Sequence, residues 1–66
     1  MTPDRLLECL DILGWSQRAL AARLGYPSHT SVKQWAQGRG RVPDDVARWL
    51  ETLARHHERH PAPPRG

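Results

Sequence analysis

The sequence predicts an all-α fold, a compact bundle of about four helices. Three observations predict it. Apolar residues recur at helical intervals, as in Leu6, Leu10 and Leu13. Residues that start or stop helices punctuate the chain at Thr2-Pro3, Gly14, Ser16, Gly25, Gly38 and Pro43. No segment alternates apolar and polar residues for long enough to make a strand.

The first helix is expected from Pro3 to Leu13. Thr2 suits the N-cap, Pro3 the first helical position, and Asp4 the positive end of the dipole. Leu7 stands beside the Leu6, Leu10 and Leu13 stripe, and Gly14 supplies a left-handed stop. The second helix is expected from Ser16, its cap, to Leu24. Leu20, Ala21 and Leu24 form its apolar face, Arg18 and Arg23 point to water, and Gly25 ends it. The third follows the short turn Gly25-Tyr26-Pro27. Ser28 is the expected N-cap, and the helix continues to Ala36 or Gln37. Val32 and Trp35 are its only strong apolar positions, so it is held by one edge and presents a wide polar face. After the loop Gly38-Arg39-Gly40-Arg41-Val42, Pro43 opens a fourth helix with Asp44 and Asp45 in its first turn. Val46, Trp49, Leu50 and Leu53 share a face, and fraying is expected near His56 or His57. The division is therefore one helical domain over 1–57 and a flexible Pro-rich tail over 58–66. The expected core is Leu6, Leu10, Leu13, Leu20, Ala21, Leu24, Val32, Trp35, Val46, Leu50 and Leu53. So small a core leaves only a few kcal/mol of stability, which a second copy would raise.

Composition narrows the function. The 66 residues allow one small domain. Hydrophobic residues at 38% and charged residues at 26% are globular rather than disordered proportions. Ten Lys and Arg oppose seven Asp and Glu, for a net charge of +3, and nine of the ten are Arg. Such a domain suits a polyanion, and the Arg fork suits phosphate and guanine. The single cysteine, Cys9, excludes an internal disulfide framework and any Cys-pair zinc site, and fits a reducing compartment. No apolar run is long enough to span a membrane, and Met1-Thr2-Pro3-Asp4-Arg5 does not read as a signal peptide. A cytoplasmic protein is expected. No acid, base and nucleophile set is visible, so an enzyme is not expected, nor is a cofactor or a small-molecule ligand.

The central stretch carries the function. Ser16-Gln17 opens the second helix, Ala21 follows that Gln by four residues, and Gly25 follows Ala21 by four. A serine-headed third helix then ends in Trp35 and Gly38. Small Ala21 lets the two helices approach, Gly25 allows the corner, and Val32 and Trp35 pin the third helix. This arrangement resembles the helix-turn-helix of the Cro/C1-type (Xre-like) phage repressor family over roughly Leu6 to Leu53. The resemblance implies a lambda-repressor-like helix-turn-helix bundle. It departs from the family in the turn: two residues, Tyr26 and Pro27, stand between Gly25 and Ser28 where the family has one. The pair reads as a rigid elbow, with Tyr26 expected to cover part of the core.

The resemblance implies roles for individual residues. Gln17 and Arg18, at the start of the second helix, meet phosphate. Ser28, His29, Thr30 and Ser31 lie nearest the base edges and the adjoining backbone. Lys33 and Gln34 face outward one turn on, where Lys reaches guanine and Gln bridges adenine. Gln37, Arg39 and Arg41 grip backbone after the third helix. An exposed Trp49 on the last helix suits a dimer contact. The expected function is sequence-specific binding of double-stranded DNA by a transcriptional regulator. The form implied is a homodimeric repressor on an inverted repeat, controlling its own operon, of phage or mobile-element type and in some relatives anti-CRISPR-associated or antitoxin-like. The alternative is a protein–protein interaction adaptor on the same fold. Two weaker signals carry less. His56, His57 and His60 have helical spacings that suit a metal, but no further ligand completes a site, so none is expected. Cys9 reads as a half-buried small hydrophobe without catalytic work.

Overall fold

The computed structural model of the chain describes residues 1–59. It contains α1 (Pro3–Leu13), α2 (Gln17–Leu24), α3 (Thr30–Ala36) and α4 (Asp44–Arg59), with no strand among the described residues. The chain is an all-α four-helix bundle. All but Glu58 and Arg59 of the expected tail lies outside the described residues, as does His60 of the candidate histidine group.

The first two helices begin as their caps dictate. Thr2 is extended, and its hydroxyl accepts the Arg5 N–H at 3.1 Å. Ser16 is extended likewise and accepts the Ala19 N–H at 3.0 Å. Each satisfies a donor that the helix itself leaves unpaired. α1, α2 and α3 all close in the same way. Trp15, Tyr26 and Arg39 donate their N–H groups to the carbonyls of Leu10, Ala21 and Gln34, five residues back, at 2.9, 3.0 and 2.9 Å. The glycine before each donor is left-handed; at Gly25 φ is +79°, a conformation that strains a side-chain-bearing residue.

α3 starts later than the sequence predicts. Ser28 does not cap it. His29 occupies the cap position, where its carbonyl accepts the Lys33 N–H at 2.9 Å, and its side chain makes no capping bond. The Ser28 hydroxyl instead donates to Thr30 Oγ1 at 3.1 Å and lies 3.5 Å from the Thr30 nitrogen. The serine therefore stands one position outside the helix cap. α4 runs longer than predicted. The Pro43 carbonyl receives the Ala47 N–H at 2.8 Å, and the helix continues through Arg59 rather than fraying at His56 or His57. Glu58 and Arg59 are both tolerant of helix; the first breaker is Pro61, whose ring restricts the residue before it.

α1 is the hub, packed against both α3 and α4, while α2 packs on α3. The core is Leu6, Cys9 and Leu10 of α1, Leu20 and Ala21 of α2, Val32 and Trp35 of α3, loop residue Val42, and Val46, Leu50 and Ala54 of α4. Four expectations need correction. Leu13 and Leu24 pack against this core but are only partly buried. Leu53 lies outside it, because α4 meets the interior along the row Val46, Leu50 and Ala54, spaced by four residues, and Leu53 falls on the flank. Cys9 is fully buried rather than half-buried. Leu7, which the expected core omits, is 43% exposed.

A polar tie reinforces the α1–α4 seam. Arg5 Nε donates to Glu51 Oε1 at 2.5 Å and its guanidinium also pairs with Glu8. The Cys9 thiol donates to the same Glu51 oxygen at 3.2 Å. Burial, then that hydrogen bond, push the thiol up to about 11. Arg5, and after it Cys9, hold the Glu51 carboxyl below its ordinary range. Cys9 is thus a protonated, inert thiol at neutral pH.

Candidate nucleic-acid interface

α3 is a seven-residue helix with two unlike sides. Val32 and Trp35 are buried, and Thr30, Ser31, Lys33 and Gln34 are exposed. The inner side is locked from several directions. Tyr26 meets the Trp35 ring edge-on, with centroids 6.0 Å apart. Gly40 lies so close on the other loop that a Cβ there would stand 3.2 Å from Trp35 Cδ1. Val42 then anchors the far end of that loop in the core. The loop carrying Arg39 and Arg41 is therefore held at its middle and its far end, while both Arg side chains stay exposed.

The turn between α2 and α3 borders an open hollow of about 330 Å³, lined by Arg18, Ala21, Ala22, Tyr26, Pro27, Ser28 and His29. Three residues predicted to meet DNA, Arg18, Ser28 and His29, come together there. Gln17 is half-buried at the first position of α2, and Gln37 is exposed where α3 ends. Lys33 and Gln34 project from α3 away from the hollow's lining, and Arg39 and Arg41 belong to the following loop. The candidate residues thus form three neighbouring groups along α2, α3 and the loop.

Charge is segregated along the chain. Every acidic residue lies within 4–11 or 44–58, whereas 12–43 holds Arg18, Arg23, Lys33, Arg39 and Arg41 and no acid. The whole α2–α3 unit and its flanking loop are accordingly cationic. Arg23 was expected simply to face water. It is exposed, but its guanidinium lies 4.2 Å from the centroid of the Trp15 ring. Trp15 in turn packs on Trp49, with ring centroids 5.8 Å apart and planes inclined by 45°. Trp49 keeps 37% of its surface exposed.

Sequence reasoning missed two contributors to this region, Val42 and the Trp15–Arg23 contact, whereas Tyr26 covers the core residue Trp35 as expected. Val42 was overlooked because it sits in a polar loop, although a lone Val between Arg41 and Pro43 was its signal. The Trp15–Arg23 contact has no periodicity to betray it. Among the described residues, no three His, Cys, Asp or Glu side chains gather in a way that would hold a metal ion, and no helix is long and apolar enough to cross a membrane. Comparison of the chain with protein-family models, with curated proteins and with solved structures finds no match.

Proposed function

We propose that the chain is a sequence-specific DNA-binding regulator that lays α3 in the major groove. The observation that supports this most is the division of α3. Val32 and Trp35 fix its inner side, so Thr30, Ser31, Lys33 and Gln34 stand outward at no cost to the core. Arg39 and Arg41, on a loop clamped by Gly40 and Val42, then serve as backbone grips, with Arg18, Ser28 and His29 at the hollow's phosphate side. A single short helix reads only about four or five base pairs, too few for useful selectivity. The functional form is therefore a homodimer on an inverted repeat, with the exposed part of Trp49 at the contact, and occupancy of the operator represses transcription from it. The resemblance to Cro/C1-type repressors supports self-regulation within a phage or mobile element. The rival reading is a protein-interaction adaptor, favoured by the exposed Trp49, Tyr26 and Leu7 surfaces.

The experiment is a selection from random duplexes at about 150 mM salt, followed by sequencing. Enrichment of an inverted repeat with half-site centres about 34 Å apart, or a multiple of one turn, is the expected result. A pool that stays flat removes base reading and leaves the adaptor.

A further inference from the structure

The outer face of α4 carries a second concentration of positive charge, apart from the groove-facing unit. Arg48, Thr52, Arg55, His56 and Arg59 are all exposed and share one side of the helix, opposite the buried row Val46, Leu50 and Ala54. Thr52, Arg55, His56 and Arg59 line an open hollow of about 290 Å³. Among the described residues, Arg48, Arg55 and Arg59 have no acidic partner within ion-pair distance. The nearest carboxylates offset them only in part. Glu51 is hydrogen-bonded to Arg5 and also feels the charge of Arg55. Asp44 and Asp45 sit in the first turn, and Glu58 lies on the flank. The Thr52 hydroxyl is already donated to the Arg48 carbonyl at 2.9 Å, so the stripe offers charge and guanidinium donors rather than hydroxyl contacts.

We propose that this stripe is a second, sequence-blind contact for the phosphodiester backbone of duplex DNA. Arg48 to Arg55 and Arg55 to Arg59 are seven and four residues apart, rises of about 10.5 and 6 Å along the helix. A duplex carries one charge per about 1.7 Å of its axis, so a helix lying along it always finds phosphates within reach of each Arg. The fork geometry of Arg fits those oxygens. Two other polyanionic partners fit less well. An interfacial membrane helix must insert its apolar face, and that face of α4 is buried in the core. A protein groove needs apolar anchors, and the stripe has none. The inference does not depend on α3 reading bases, because backbone contacts carry no sequence information.

The test compares the full chain with the triple variant Arg48→Gln, Arg55→Gln, Arg59→Gln and with the corresponding triple Lys variant. Binding to a mixed-sequence duplex is titrated against salt, with far-UV circular dichroism to check that helix content is unchanged. The Gln variant is expected to lower the slope of log K against log salt by up to about 2.7, at 0.9 per phosphate contact, and to weaken all sequences alike. The Lys variant is expected to keep most of the slope. A slope unchanged by the Gln variant overturns the proposal, as does a wild-type chain that binds no duplex. Loss of binding only to phosphatidylserine vesicles, with DNA binding intact, overturns it in favour of a lipid surface. If base preference is flat and the Gln variant still lowers the slope, the α3 reading fails and the α4 contact stands.

Discussion

At the residue scale, two serines and one carboxylate show how position decides worth. Ser16 and Ser28 both precede helices, and both look like caps in the sequence. Only Ser16 reaches a helical N–H with good geometry; Ser28 stands one residue too far out. Ser16→Ala is therefore expected to cost about 1 kcal/mol in a denaturant titration, and Ser28→Ala to fall within about 0.5 kcal/mol of wild type. Nothing in the residue types distinguishes the two, because the length of the Tyr26-Pro27 turn, rather than capping preference, sets the register. Glu51 was equally illegible: it reads as a solvated helix residue, yet it joins Arg5 and Cys9 across 46 and 42 positions of sequence. Its carboxyl is held below the ordinary range, so the folded chain binds that proton more weakly than the unfolded one. The resulting stabilisation is complete above the unfolded carboxylate pKa of about 4.3 and is lost as pH falls through the lowered folded value. Thermal unfolding followed from pH 6 down to pH 3 should show Glu51→Gln with a lower Tm near neutrality and a gap to wild type that narrows in acid. A gap of constant width would mean that the pair contributes through packing alone.

At the element scale, the helices were readable wherever caps and glycines stand in regular register. α1 and α2 begin and end as Thr2, Gly14, Ser16 and Gly25 require. The readings that moved did so for tertiary reasons. Ala54 rather than Leu53 faces inward because α4 crosses α1 along a row of four-residue steps, and a small residue there permits close approach. The candidate site divides in the same way. The outward placement of Lys33 and Gln34 was legible from Val32 and Trp35, three residues apart, whereas the hollow joining Arg18, Ser28 and His29 arises from the turn and has no sequence pattern. Elements predict different kinds of loss on DNA. Lys33→Ala or Gln34→Ala should relax base preference and cost about 1–3 kcal/mol at the selected site. Arg39→Ala and Arg41→Ala should weaken every sequence and reduce the salt slope by about one each. Equal losses on all sequences from the α3 variants would place Lys33 and Gln34 on phosphate. An unchanged slope from the loop variants would remove that loop from the interface.

At the scale of the whole molecule, the chain places its cationic middle between two segments that hold all its acids, and closes those segments on each other through the α1–α4 seam. The core is small and shared by all four helices, so damage anywhere in it is global. Leu50, fully buried where α4 meets the interior, is the plainest example. Leu50→Ala should cost about 2–5 kcal/mol, comparable to the few kcal/mol that a domain of this size holds. Loss of the cooperative unfolding transition is the expected outcome, and a native-like transition would show that α4 is dispensable. The α1–α4 seam also has a bearing on synthesis. Leu6, Cys9 and Leu10 are made first, and the partners that cover them, Val46, Leu50 and Ala54, are made last. A growing chain must therefore carry α3 unsupported, with the first apolar stripe bare, until α4 is available to cover it. Chains ended after residue 45 should be cut by protease as readily as unfolded ones, and protection should arrive in one step once the chain extends through residue 54. Closure of the last-made helix of the bundle on the first-made one would then be the event that completes the fold.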